Sequence, residues 1–137
     1  MTRSENGKAL PYDSKEMTSI VTYLQWISSG VPVYASVPWL GIEKVKSDHK
    51  PDKNAGGQVF TTKCSTCHGN QGQGLGDVPP LWGDGSFNDG AGMASPANLA
   101  GFAHMNMPRG NPDLTPEQAL DVAEFVDNQP RSHFQKQ

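Results

Sequence analysis

Cys64-Ser65-Thr66-Cys67-His68 is the stretch on which the fold turns, because it holds both cysteines of the chain and sets a histidine directly behind the second. Three chemistries compete for such a spacing. A redox disulfide usually follows a strand in a βαβ unit and does not require the histidine. A zinc site needs four ligands and would have to recruit from His49, His68, His104 and His133 to complete two thiolates. Covalent attachment of a haem uses all three residues: each thiol adds across one vinyl group, and the histidine after the second thiol ligates the iron from the same face. The spacing therefore points to one covalent haem c, held by Cys64 and Cys67 with His68 as its proximal ligand.

The surrounding sequence reads as helices and turns, an all-α pattern. A helix from about Asn54 to Cys64, with Gly56 and Gly57 followed by Val59, Phe60 and Lys63, delivers the cysteines. Residues 69–92 are turn-laden, with Gly-Asn-Gln-Gly-Gln-Gly-Leu-Gly as their first piece, and glycine lets backbone approach a flat ligand. A short helix is expected over Pro96–Phe102. The clearest one follows Thr115, which caps, with Pro116 at the first position, Gln118 completing the box, and Ala119, Leu120, Val122, Ala123 and Val126 as its apolar stripe; it ends before Pro130.

Near the start, Asp13 can cap a helix with Glu16 three residues on, and Met17, Ile20, Val21, Leu24 and Ile27 recur at helical spacing until Gly30. Pro32, Pro38, Gly41 and Pro51 then punctuate a stretch without period, an extended linker expected to lie against the protein through Tyr34, Trp39 and Leu40. The reading divides the chain into an N-terminal helical extension (1–30), a linker (31–53) and a haem domain (54–137), with no internal repeat.

Of the 137 residues 35% are hydrophobic, while glycine and proline number 15 and 11, so the core is small and a bound macrocycle would be structural as well as functional. The net charge of −3 and the scatter of basic residues exclude a nucleic-acid footprint; Lys44, Lys46, Lys50 and Lys53 form only a loose group. The best apolar stretch, Met17–Ile27, falls short of the roughly 20 residues of a membrane span. No secretory signal lies near Met1, so the expectation is that it has been removed or that the chain is a fragment.

A ligating histidine needs an acceptor for its second ring nitrogen, which fixes the tautomer and strengthens the ligand. Pro79-Pro80-Leu81 supplies a stiff candidate, with the carbonyl about twelve residues on, that of Pro80, as the expected partner of His68. For the sixth iron position a thioether suits electron transfer. Met107 is the choice, because Pro108 restricts its backbone toward an extended form that can present the side chain from a loop. Met93, Met105 and His104 are the alternatives. Trp82, Phe87, Phe60, Phe102 and Phe125 are expected to pack.

Gly57 and Phe60 ahead of Cys64-x-x-Cys67-His68, then Pro80-Leu81, Met107-Pro108 and a final amphipathic helix with Phe125, resemble a class I cytochrome c over residues 54–130. The resemblance implies an all-α fold in which the first and last helices cross and the haem sits in a crevice, with one edge toward redox partner proteins. Asn6-Gly7-Lys8-Ala9-Leu10-Pro11, Leu81-Trp82-Gly83, Ser86-Phe87-Asn88, Gly90-Ala91-Gly92-Met93 and Asn106-Met107-Pro108 are more closely similar to diheme thiosulfate dehydrogenases, the first piece to the end of their first haem domain and the rest to their second. This implies a one-electron carrier exported to the periplasm, with Cys64 and Cys67 as thioether anchors, His68 and Met107 as axial ligands, and a preceding haem domain or subunit as a further partner. That family's catalytic haem belongs to the first domain and has a cysteine ligand, whereas this chain has one motif and no third cysteine. No catalytic residue is therefore expected, and turnover of thiosulfate to tetrathionate is not expected from this chain alone.

Overall fold

The structure, a computed structural model, describes residues 4, 7–37 and 40–135. Among them are five α-helical segments and no strand: α1 (Lys15–Ile27), α2 (Lys53–Val59), α3 (Ser65–His68), α4 (Pro96–Asn106) and α5 (Pro116–Asp127). No helix among the described residues is long and apolar enough to cross a membrane.

The caps explain the boundaries. At α5 the expected box is present: Gln118 N donates to Thr115 Oγ1 at 3.2 Å and Thr115 N to Gln118 Oε1 at 3.1 Å, with Pro116 where a missing N–H costs nothing. At α1 the cap is Ser14 rather than Asp13, its hydroxyl accepting from Met17 N at 3.1 Å. Asp52 caps α2 by accepting from Asn54 N and Ala55 N at 2.7 and 3.2 Å, so this helix begins a residue earlier than its apolar pattern suggests. α4 runs on beyond Phe102 because Ala103 adds another buried small residue, and it stops at Met107, whose backbone is extended (φ −121°, ψ 144°) ahead of Pro108.

Between α2 and α3 the helix widens into a π-helical turn over Phe60–Cys64. The hydroxyls of Thr61, Thr62 and Ser65 donate back to the carbonyls of Gly57, Gln58 and Thr61 at 2.7–2.9 Å, competition for main-chain acceptors of the kind that bends helices. A continuous helical run thus carries both cysteines and the histidine, and Gly69, at φ +77°, ends it in a conformation natural to glycine.

α2 and α5 cross at close range. A Cβ on Gly56 would collide with the carbonyl of Asp121 and sit 2.9 Å from Phe125 Cβ, while one on Gly57 would meet the Phe125 ring at 3.3 Å. The core lies at this crossing and along α4, with Phe60, Leu99, Leu114, Val122 and Val126 buried among Ala100, Ala103, Ala119 and Ala123. Trp82 covers it, its ring centroid 5.0 Å from Phe60 and 5.9 Å from Phe125, edge-on to the latter, so packing is indeed what this indole does. Gly56→Ala should therefore destabilise the matured protein by about 1–3 kcal/mol or more, since one methyl forces two helix backbones apart. Thermal denaturation measures this, and an unchanged midpoint would mean that the crossing is looser than described.

The linker contacts differ from expectation. Tyr34 and Leu40 are 93% and 79% exposed and do not lie against the protein, and Trp39 is outside the described residues. Contact begins at Ile42 and Glu43, which fit against the bare Cα of Gly101 on α4, and continues through Val45, packed on the core. It is completed by Asp121 of α5, a buried carboxylate that accepts from Asp52 N and pairs with His49 Nε2, both at 2.7 Å. The apolar stripe of α1 has no such cover: Ile20, Val21, Leu24 and Ile27 are each 44–53% exposed, with Trp26 beside them at 70%.

Candidate functional site

Cys64 and Cys67 are free thiols, Cys64 half-buried against the core and Cys67 exposed one turn on. Burial pushes the Cys64 thiol up to about 11, against a smaller opposing pull from the Lys63 ammonium. The motif lies on a helical run with no strand beside it among the described residues, which is not the βαβ setting of the redox-disulfide reading. The zinc reading fails on its partners. Among the described residues no group of three or more His, Cys, Asp or Glu side chains could hold a metal ion. His49 is held by Asp121 and His133 pairs with Asp89, both at 2.7 Å, while His104, whose Nδ1 donates to the Leu114 carbonyl at 2.9 Å, stands in no such group among the described residues.

His68 is oriented for ligation. Its Nδ1 lies 3.0 Å from the carbonyl oxygen of Pro79; a carbonyl only accepts, so Nδ1 carries the proton and Nε2 keeps its lone pair for a metal. The acceptor is thus Pro79, eleven residues on, and not Pro80 as the sequence reading had it. The Pro80 carbonyl is instead engaged by Ser86 Oγ at 3.1 Å. The loop between is tightly wound: Gly74 N donates to the His68 carbonyl and Leu81 N to that of Gly72, both at 2.8 Å. At Gly74 (φ +75°) a Cβ would strike the Val78 carbonyl and lie 2.9 Å from Pro80 N, so only glycine lets this loop close on the histidine.

The three candidate methionines are differently placed. Met105 is 56% exposed on α4, Met93 packs against the hydrophobic core, and Met107 sits half-buried in the extended residue that ends α4. The donor set of two free thiols, one imidazole nitrogen and a half-buried thioether fits a covalently bound haem. Sequence reasoning missed Ser86, Arg131 and Asp121, the polar residues that hold this frame. Asp121 and Arg131 have partners as far as 72 and 44 residues away, which no local pattern marks, and Ser86 is marked only as part of a resembling motif, without the role its bond to Pro80 gives it.

The sequence profile of the cytochrome c family matches residues 54–130. The thiosulfate dehydrogenase of Allochromatium vinosum is 43% identical over 141 residues, covering 98% of this chain and 52% of that protein. That of Thiomonas intermedia is 42% identical, covering 93% and 43%. The as-isolated structure of thiosulfate dehydrogenase (TsdBA) from Marichromatium purpuratum superimposes with a TM-score of 0.80 at 30% identity, over 88% of this chain and 27% of that one. The chain spans about half the length of the relatives it matches. With the profile match, the helical architecture and the thiol–thiol–imidazole arrangement in agreement, this chain belongs to the cytochrome c family, whose covalent haem c its residues fit.

Proposed function

We propose that the chain is a periplasmic electron-transfer unit with one covalent haem c, attached through Cys64 and Cys67, with His68 and Met107 as axial ligands. The observation that carries this reading is the His68 Nδ1–H···O=C bond to Pro79, which leaves the lone pair of the other ring nitrogen free to ligate a metal. When bound, the haem supplies a one-electron ferric–ferrous couple. The protein's part is to fix the imidazole tautomer, to offer a soft thioether that favours ferrous iron, and to exclude water with Phe60, Trp82 and Phe125. The 54–137 segment is the haem domain in this reading, with 1–30 an extension and 31–53 the connection between them.

A second reading is favoured by two observations, the uncovered stripe of α1 and the double length of the relatives: this is the electron-exit domain of a thiosulfate dehydrogenase, whose preceding haem domain covers that stripe. Both readings expect the isolated holo-chain to exchange electrons reversibly with a soluble redox mediator and to bind CO poorly when reduced. Both also expect no steady turnover of thiosulfate with an artificial acceptor. Oxidation of thiosulfate by this chain alone would overturn the carrier assignment and make it an enzyme in its own right.

A further inference from the structure

Pro79 and Pro80 have no N–H, so the segment that presents the His68 acceptor cannot anchor itself through main-chain donors at those positions. Besides Leu81 N, which donates back to the Gly72 carbonyl at 2.8 Å, its anchoring comes from further along the chain. Ser86 is buried, and its hydroxyl donates to the Pro80 carbonyl at 3.1 Å while its own N–H donates to Gly83 at 3.2 Å. Gly83 N in turn donates to the Pro130 carbonyl at 2.8 Å, and Gly83 pairs with Arg131 in a short parallel bridge.

Arg131 closes the arrangement. Its guanidinium lies 4.4 Å over the Phe87 ring, with one NH₂ group 3.4 Å from the Phe87 carbonyl and the other donating at 2.8 Å to the Val126 carbonyl in the last turn of α5. Asp127 faces it at 3.5 Å, and both side chains are more than nine-tenths buried. A buried guanidinium whose contacts run to a loop carbonyl, a loop ring and a helix end acts as a rivet between loop 79–87 and α5.

We propose that Ser86 and Arg131 are positioning residues for the proximal histidine, holding the Pro79–Pro80 peptide where it accepts the His68 Nδ1 proton. The inference rests on the haem reading above. A firm bond at Nδ1 makes the imidazole a stronger donor and favours ferric iron, so loosening the acceptor raises the reduction potential.

The test uses the matured holo-protein. Ser86→Ala should shift the ferrous-to-ferric ratio at a fixed ambient potential about threefold toward ferrous, roughly 28 mV at 59 mV per tenfold for a one-electron couple. Deuterium exchange of the His68 Nδ1 proton, followed by NMR in the reduced state, should quicken about tenfold while amides inside α5 keep their rates. Arg131→Gln should act in the same direction more weakly, and the double variant should fall short of the sum because both act on one peptide. If both variants melt earlier yet keep the potential and the exchange rate, the two residues are only structural and the proposal is overturned. If Ser86→Ala does not mature, the Arg131→Gln values decide on the same criteria. A native protein without covalent haem would overturn the haem reading itself, an outcome that intact mass separates from the others.

Discussion

Replacing Cys64 and Cys67 together by serine should give a chain whose intact mass equals the bare sequence and which has no cooperative thermal transition, whereas the native chain is heavier by one haem. The reason is the core. Of its nine buried hydrophobic residues among those described four are alanines, and the aromatic rings of Phe60, Trp82 and Phe125 gather at one side of it. Helices this short, with one glycine-tight crossing, bury too little apolar surface to offset the ordering of loops 69–92, and a domain of this kind depends on a staple. Single variants separate the two anchors. Cys64→Ser removes the thiol already packed on the core and should cost more stability than Cys67→Ser, whose thiol is exposed; both should mature poorly. Denaturing mass spectrometry of the protein made with a maturation system reads the result directly. A native chain with no added mass would end the assignment.

How much of this was open to reading depended on how local the determining interactions are. The α5 box, its proline and its stripe lie within twelve consecutive residues, and the structure reproduces them. The Cys64–His68 motif is equally local. α1 shows the opposite limit: its periodicity correctly marks a helix, but periodicity says that one face is apolar and not what covers it, and here the face is open. The π-turn before Cys64 depends on three hydroxyls taking carbonyls from the helix, a competition that no apolar pattern registers. The exchange of Pro79 for Pro80 as acceptor is a question of which carbonyl the loop turns toward His68. Gly72, Gly74 and Ser86 decide it together, so spacing alone came within one residue and no nearer. Arg131 lay outside every motif because its partners are 5 and 44 residues away.

Met107→Ala should leave the covalent haem in place, lower the reduction potential and allow CO to bind the reduced protein, while the same change at Met93 or Met105 should do much less. Thioether sulfur is a soft ligand that stabilises ferrous over ferric iron, and its loss opens the sixth position to water or to a neighbouring side chain. The placement of the three side chains separates their outcomes. Met105 is more than half exposed on a helix face, so its truncation is a surface change. Met93 packs on the core, and its truncation should cost stability, of the order of 2–5 kcal/mol if the space does not refill, without opening the iron. Met107 alone stands on the extended residue between α4 and Pro108, where helix geometry no longer dictates its direction. The oxidised native protein should show the weak long-wavelength charge-transfer band of iron–methionine bonding, and that band should vanish only in Met107→Ala. Survival of the band there, with its loss in Met93→Ala or Met105→Ala, would transfer the ligand role to that residue. It would leave the covalent attachment and the electron-transfer reading intact, since those stand on Cys64, Cys67 and His68.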